Sequence, residues 1–181
     1  MTILVKFLKD ISNSNAFVDV YRDDIDGETL RGSIIELSNG ILQVLKYSDI
    51  GEHDGVTFIR LSDVTRIRAS GRELTLTMKL AELSKNEPSV QKFSPSSMWG
   101  AVEAVQEIHG YVTIFIENID PDIAIIGELV EHDDDYVHLK EYGTMKTQDE
   151  RDLILLKEEI TRVDGEGVYE KTIRSIPKDQ Y

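Results

Sequence analysis

Short runs in which apolar and polar residues alternate cover much of the chain, and such alternation is typical of β-strands. In the first half these runs, rich in Val, Ile, Thr and Tyr, cover residues 17–22, 29–38, 41–48, 55–68 and 73–79. Asp26-Gly27 and Asn39-Gly40 favour tight hairpins, because glycine adopts positive φ without a steric cost. The pattern predicts a small antiparallel β domain.

A helical period precedes each set of strands. A helix over residues 2–13 is predicted by apolar positions at helical spacing, namely Ile3, Leu4, Phe7, Leu8 and Ile11. A second helix, over residues 96–109, is predicted by Met98, Val102, Val105 and Ile108. Ser94-Pro95 is interpreted as its N-cap and first helical position, Gly110 as its end, and Trp99 as a core anchor.

The order of apolar blocks and turns occurs twice along the chain. An offset of 95 residues relates three pairs, which are Gly32 and Gly127, Glu36 and Glu131, and Tyr47 and Tyr142. An offset of 96 relates Thr65-Arg66 to Thr161-Arg162, so one residue is inserted between these markers. We interpret the chain as a diverged tandem duplication.

The duplication predicts two domains of one plan. Residues 1–81 form the first repeat, residues 82–94 a linker that is polar and contains Pro88, and residues 95–181 the second repeat. The expected fold class is mainly β with two short helices, as two small five-stranded barrels in tandem, each preceded by a helix. A short sheet of this kind must close or pair its edges.

The composition excludes several classes of protein. The 181 residues include no cysteine, which excludes disulfide scaffolds, thiolate zinc sites and cysteine nucleophiles. A net charge of −14 disfavours broad affinity for nucleic acids. No apolar run approaches the roughly 20 residues of a membrane span, and no export signal is evident. We therefore expect a cytoplasmic protein that does not enter a membrane.

Two segments carry a resemblance to a known family. Asp26–Gly32 combines a tight Asp-Gly turn with a strand that contains Gly32. Gly127–Asp133 followed by Tyr136–Lys140 combines a strand that contains glycine, a hairpin centred on Asp and an apolar strand that ends at Lys140. Together with the preceding helices, they resemble the Sm-like family, which includes Sm, LSm and Hfq proteins. The same short motifs are also compatible with another small SH3-like barrel.

The resemblance implies RNA binding around the pore of a ring. Two positions after the hairpin Asp133, where the family has a stacking residue, this chain has Asp135, which is followed by Tyr136. Where the family has a basic pair, this chain has Glu158-Glu159. Carboxylates repel the phosphate chain that single-strand binding requires. We therefore expect a degenerate RNA site.

Positive charge is concentrated in the first repeat. Residues 1–92 have a net charge of −2, whereas residues 93–181 have −12. The candidate anion, RNA or interface residues of the first repeat are Arg60, Arg66, Arg68 and Arg72. These arginines either pair with the acidic second repeat or a neighbouring subunit, or bind RNA or another anion.

No motif points to catalysis or to a resident cofactor. The chain lacks the nucleophile elbow, the phosphate loop and the zinc-protease helix. The segment from His132 to Asp135 is interpreted as a solvated hairpin tip, because consecutive turn residues diverge and do not converge on a metal. We expect no enzyme activity, no cofactor and no metal.

The resemblance implies how such a chain assembles. In the Sm-like family the fourth strand of one barrel pairs with the fifth strand of the next, so a tandem chain can form one junction internally. Free edges are then expected around Leu74–Met78 or Val56–Arg66 and in the second repeat, which favours a homo-oligomer.

Three functions are compatible with the sequence. The first is a non-enzymatic assembly or interaction module whose partners are itself and other proteins. The second is an RNA-binding protein that uses the arginines of the first repeat, and the third is binding of a small anionic metabolite between the barrels.

Overall fold

The computed structural model describes residues 2–84, 91–142 and 150–175. Within these residues the protein is mainly β, with four α-helices and a ten-stranded antiparallel sheet that is not closed. The helices are α1 (Ile3–Ser14), α2 (Arg72–Leu83), α3 (Met98–His109) and α4 (Val168–Ser175). No helix in the described part of the chain is long and apolar enough to cross a membrane.

Each repeat contributes five strands. The first repeat contains β1 (Phe17–Tyr21), β2 (Thr29–Ser38), β3 (Ile41–Tyr47), β4 (His53–Arg60) and β5 (Arg66–Arg68). The second contains β6 (Val112–Phe115), β7 (Ala124–His132), β8 (Tyr136–Glu141), β9 (Arg151–Leu156) and β10 (Arg162–Gly165). In both repeats a 3-10 turn precedes the fifth strand, at Leu61–Asp63 and at Lys157–Glu159.

The sheet runs in the order β5-β1-β2-β3-β4-β10-β6-β7-β8-β9. The fourth strand of the first repeat, β4, therefore pairs with the fifth strand of the second, β10, which is the pairing that the resemblance implies inside a tandem chain. The strands β5 and β9 lie at the two edges. The ends of the sheet are thus formed by the fifth strand of one repeat and the fourth strand of the other.

The structure repeats in detail as well as in order. A β-bulge interrupts the pairing of β2 and β3 between Ile34 and Glu36, and a bulge interrupts β7 and β8 between Leu129 and Glu131, 95 residues later. A Cβ added at Gly32 would lie 1.8 Å from the Leu45 carbonyl oxygen. Both Gly32 and Gly127 therefore allow a close approach of two backbones, which any side chain would prevent.

Two large cores support the sheet. The core of the first repeat is formed by α1 and the strands of that repeat, and its centre includes Leu8, Val18 and Leu42. The second core contains α3 and the strands of the second repeat, but it also includes Phe58 and Ile41 of the first repeat. The apolar core therefore continues across the pairing of β4 and β10.

The sequence predicted a strand over residues 73–79, and this prediction is wrong. Arg72–Leu83 forms α2, in which Leu74 and Thr77 are buried one helical turn apart and Leu76 is exposed. Leu, Met, Lys, Ala and Glu all have high helix propensity. The alternation of apolar residues here was therefore part of a helical surface, and the expected free edge at Leu74–Met78 does not exist.

Other boundaries also differ from the prediction. The predicted strand over residues 55–68 is divided by the 3-10 turn into β4 and β5, and four helices are present where two were expected. The side chain of Ser97, not Ser94, caps α3, whereas Gly110 ends it in a left-handed conformation as predicted. The predicted linker over residues 82–94 overlaps the end of α2, and residues 85–90 lie outside the described part of the chain.

Candidate functional site

The junction between the repeats contains a group of charged side chains, of which Arg22, Glu117, Arg162 and Asp164 are buried. In its register Arg162 lies opposite Ile59, Val163 opposite Phe58, and Asp164 opposite Thr57. The charged residues that meet there are Arg22, Glu28, Lys46, Glu117, Arg162 and Asp164. Charged groups that are buried in proteins are almost always paired. The ion pairs among these residues therefore accompany the burial of charge where the two repeats meet.

Arg162 lies at the centre of this group, and only 2% of its surface is exposed. Its guanidinium donates to both carboxylate oxygens of Asp164, at 2.8 and 2.6 Å, and it also donates to Glu28 of the first repeat. The guanidinium lies 4.1 Å from the centre of the Phe115 ring. Arg162 thus links its own strand to the other repeat.

Asp164 is also held from the first repeat, since Lys46 Nζ donates to its Oδ2 at 2.7 Å. Burial alone would raise the pKa of this carboxyl group. The charges of Arg162 and Lys46 outweigh burial and hold the pKa of Asp164 well below its usual range. Asp164 is therefore a carboxylate that two cations keep ionised inside the protein.

A second ion pair crosses the junction beside the first. Both terminal nitrogens of Arg22 donate to the carboxylate of Glu117, at 2.6 and 2.7 Å, and both side chains are buried. Asp26 accepts a further bond from Arg22. A bidentate pair of this kind fixes the orientation of both partners.

Sequence reasoning missed most of this group. Of its members, only Arg162 had a signal, because Thr161-Arg162 repeats Thr65-Arg66. Lys46 and Asp164 are 118 residues apart, and no local pattern joins them.

The structure brings two of the four candidate arginines together, on β5. Arg66 donates to both oxygens of Asp23 at 2.8 Å and lies 3.7 Å from the centre of the Tyr21 ring. Arg68 donates to the buried Asp19, at 2.8 and 2.5 Å, and to Glu73 at 3.1 Å. Their acidic partners lie in the first repeat and not in the second.

The other two candidate arginines lie apart from this pair. Arg60 Nη2 donates to the carbonyl oxygen of Glu158 at 3.3 Å, so it does contact the second repeat. Arg72 begins α2 and is exposed. The four arginines therefore do not form a single basic surface.

Three of the second-repeat residues that were compared with the Sm-like motifs line an open cleft of about 1240 Å³. Asp135, Tyr136 and Glu158 line it together with Arg60 and Lys157, and Glu159 lies in the adjacent 3-10 turn. The cleft thus contains both signs of charge and is not a cationic groove.

The hairpin tip that begins at Asp133 forms a turn, as predicted. The Asp133 carboxylate accepts from the backbone nitrogens of Tyr136, at 2.6 Å, and Asp135, at 2.9 Å, and these bonds lower its pKa. Lys157 Nζ lies 4.1 Å from the centre of the Trp99 ring, and Trp99 packs against the second core. Among residues 2–84, 91–142 and 150–175, no group of three or more His, Asp or Glu side chains could hold a metal ion.

Both ends of the sheet leave large side chains exposed. On β9 and the adjacent β8, Ile154 is 64% exposed and Tyr136 is 47% exposed. On β5, the guanidinium groups of Arg66 and Arg68 are partly exposed. An edge strand is paired on one side only, and its other side can pair with a strand of another chain.

Comparison of the sequence with protein-family models and with curated proteins gave no match, and comparison with solved structures gave none either.

Proposed function

We propose that this chain is a non-enzymatic assembly module of the Sm-like type, which associates with other chains through β5 and β9. The observation that carries the proposal is the open sheet, in which neither edge strand has a second neighbour among residues 2–84, 91–142 and 150–175. The pairing of β4 with β10 supports it, because it shows how a fourth and a fifth strand of this sequence fit together.

In this proposal the RNA site of the family is degenerate. Asp135 and Glu158 contribute carboxylates to the cleft, where a phosphate chain would be repelled. Arg66 and Arg68 are held by the carboxylates of Asp23 and Asp19, which offset their charge. The net charge of −14 also disfavours the binding of RNA.

The mass of the protein in solution tests the proposal. Light scattering over a range of concentrations is expected to give a mass of more than one chain. A mass of one chain at every concentration would overturn the proposal.

A charge placed on the free edge should prevent this association. We expect Ile154→Lys to lower the mass toward one chain without changing the thermal midpoint, because a lysine on an edge strand blocks strand pairing. Ile50→Lys is the matched control, since Ile50 is also 64% exposed but lies in a turn outside both edge strands. Equal masses for the two variants would exclude β9 as the contact surface.

A further inference from the structure

Both repeats line the open cleft of about 1240 Å³, and each of them contributes apolar side chains to it. These are Leu4, Ile41 and Leu61 of the first repeat, and Met98, Trp99 and Leu156 of the second. Pockets for small ligands usually have volumes of about 300–1,000 Å³ and enclose most of the ligand. An open cleft of this size therefore fits a segment of polypeptide better than a small molecule.

The two cations that line the cleft, Arg60 and Lys157, are both held by the protein itself. Lys157 Nζ donates to the carbonyl oxygen of Asp133 and lies 3.1 Å from His132 Nδ1. Arg60 Nη2 donates to the carbonyl oxygen of Glu158 at 3.3 Å. Their N–H groups are thus directed at backbone carbonyls and the histidine ring.

The carboxylates that line the cleft have no such partners. They belong to Asp134, Asp135 and Glu158, and all three residues are exposed. Within residues 2–84, 91–142 and 150–175, none of these side chains forms a hydrogen bond or an ion pair. A ligand therefore meets uncompensated negative charge in the cleft, and the ligand that complements it is cationic. The net charge of −14 attracts the same kind of ligand from a distance.

Elsewhere in the chain an aromatic ring and a carboxylate together hold an arginine. The guanidinium of Arg66 lies 3.7 Å from the centre of the Tyr21 ring and donates to both oxygens of Asp23. In the equivalent place of the second repeat, Arg162 lies 4.1 Å from the centre of the Phe115 ring and also binds carboxylates. These sites are internal examples of arginine recognition by this sequence.

Tyr136 presents the same two kinds of group on the surface of the cleft. It lies opposite Leu156 in the pairing of β8 with β9, and both side chains line the cleft. Its ring is 47% exposed, Asp135 precedes it, and Glu158 follows Leu156 by two residues. In the part of the chain that the structure describes, no lysine or arginine lies over this ring.

We propose that the cleft binds a basic segment of another protein. An arginine of that segment lies over the ring of Tyr136 and donates to Asp135 and Glu158, and a neighbouring apolar side chain packs against Leu61 and Leu156. The binding does not depend on association through β5 and β9, because both repeats of a single chain form the cleft.

The chemistry of the cleft favours arginine over lysine and over nucleic acid. A guanidinium is planar, so it stacks on an aromatic ring while its edge donates to a carboxylate, whereas an ammonium is a compact point charge. A phosphate chain also stacks bases on aromatic rings, but it requires cations where this cleft has Asp135 and Glu158.

The fluorescence of Trp99 reports binding, because Trp99 lines the cleft and is the only tryptophan of the chain. The probe is a peptide blocked at both ends that contains two arginines and two leucines separated by glycines. We expect a saturable change in emission, with an affinity that falls as salt is added. The same peptide with citrulline in place of arginine keeps the shape without the charge, and we expect it to bind about 10-fold more weakly or worse.

Removal of the two carboxylates tests where the arginine binds. We expect Asp135→Asn/Glu158→Gln to raise the dissociation constant of the arginine peptide about 10-fold, because both acceptors lose their charge. Glu52→Gln/Glu107→Gln is the matched control, since it removes the same net charge from two exposed residues outside the cleft. The control measures the long-range attraction alone, and we expect it to change the dissociation constant less than about twofold.

A change of the ring tests the aromatic part of the site. We expect Tyr136→Leu to raise the dissociation constant about 2–5-fold, because the cation loses its contact with an exposed ring while the apolar side chain remains. Tyr169→Leu is the control, because Tyr169 is 45% exposed and lies on α4, outside the cleft. Circular dichroism and the thermal midpoint show that each variant is folded as the wild type is.

The outcomes also separate this proposal from the assembly through the edge strands. The absence of peptide binding, equal affinities for the arginine and citrulline peptides, or equal responses of the test and control variants would each overturn the basic-peptide site. Binding of short single-stranded RNA that changes the emission of Trp99 would assign the cleft to RNA instead. A protein that binds the arginine peptide as expected, yet is one chain at every concentration, would support the site and overturn the assembly.

Discussion

Arg162 and Arg66 occupy the same place in the two repeats but lie in opposite surroundings. Each follows a threonine, lies over an aromatic ring and binds a carboxylate. Arg162 lies on β10 and is buried against the first repeat, whereas Arg66 lies on the edge strand β5 and its side chain is 60% exposed. The same local structure is therefore a buried link at the junction and an open surface at the edge.

The difference shows that a neighbouring strand, and not the local sequence, determines the role of a repeated residue. Thr161 and Thr65 make the same bonds, since each hydroxyl donates to a backbone carbonyl or to a carboxylate side chain and accepts a backbone N–H. Only the threonine beside the junction is buried. Matched substitutions in the two repeats can therefore separate the effect of burial from the effect of bonding.

The largest expected difference comes from the two arginines. Arg162→Ala should lower the free energy of unfolding by about 3–5 kcal/mol, because it leaves Asp164 buried with fewer partners. Arg66→Ala should leave the midpoint of the monomeric protein nearly unchanged, because solvent replaces the lost contacts. Urea unfolding at a concentration where the protein is one chain measures both. If the two variants lose equal free energy of unfolding, burial does not make the contacts of Arg162 more stabilising than those of Arg66.

Acid should weaken the junction through the protonation of Asp164. The pKa of Asp164 is depressed in the folded protein, so its contribution to stability is present above the unfolded pKa of about 3.9 and is lost as pH falls below it. We expect unfolding free energy to decrease between about pH 4 and pH 2. In Asp164→Asn this decrease should be smaller, and the variant should already be less stable at pH 7. A slope identical to that of the wild type would contradict this expectation.

The paired threonines should differ by less. Thr161→Val removes the hydroxyl that satisfies buried groups of Glu117 and is expected to cost about 1–3 kcal/mol. Thr65→Val should cost less, because water can reach the Asp23 groups that lose their bonds. Thermal unfolding of both variants, each with a Thr→Ser control at the same site, measures the difference. A larger loss at Thr65 would contradict the comparison.

The smallest expected effect is on RNA. Fluorescence anisotropy with short U-rich and A-rich single strands at low salt should show no binding, because Arg66 and Arg68 are already held by carboxylates. Low-micromolar binding that weakens with salt and is lost in Arg66→Glu/Arg68→Glu would instead assign the exposed edge to RNA.

The sequence predicted the first three strands of the first repeat better than the residues that follow them. The predicted runs 17–22, 29–38 and 41–48 match β1, β2 and β3 within one residue, because turn residues bound them on both sides. Turn residues also flank α2, at Ser70-Gly71 and Ser84, but its alternation of Leu and Met fits a strand or a helix. Whether the segment forms a strand or a helix depends on which of its residues the rest of the protein buries.

The buried charges could not be predicted in the same way. Repetition marked Thr161-Arg162 as the equivalent of Thr65-Arg66, but it did not indicate that Arg162 is buried. Nothing in the sequence around Lys46 or Arg22 indicates burial, since each becomes buried only when the second repeat lies beside the first. Long-range pairing of charges is a property of the assembled sheet.

The position of β10 has a consequence for the synthesis of the chain. It is the last strand in the sequence of the described residues, yet it lies between β4 and β6 inside the sheet. Chains emerge from the ribosome from the N-terminus onward, so β4 and β6 both wait with an open edge until the final strand is available. A polypeptide that stops before Arg162 would therefore expose two unpaired strand edges at its centre, and nascent chains of this protein should depend on chaperones until β10 emerges.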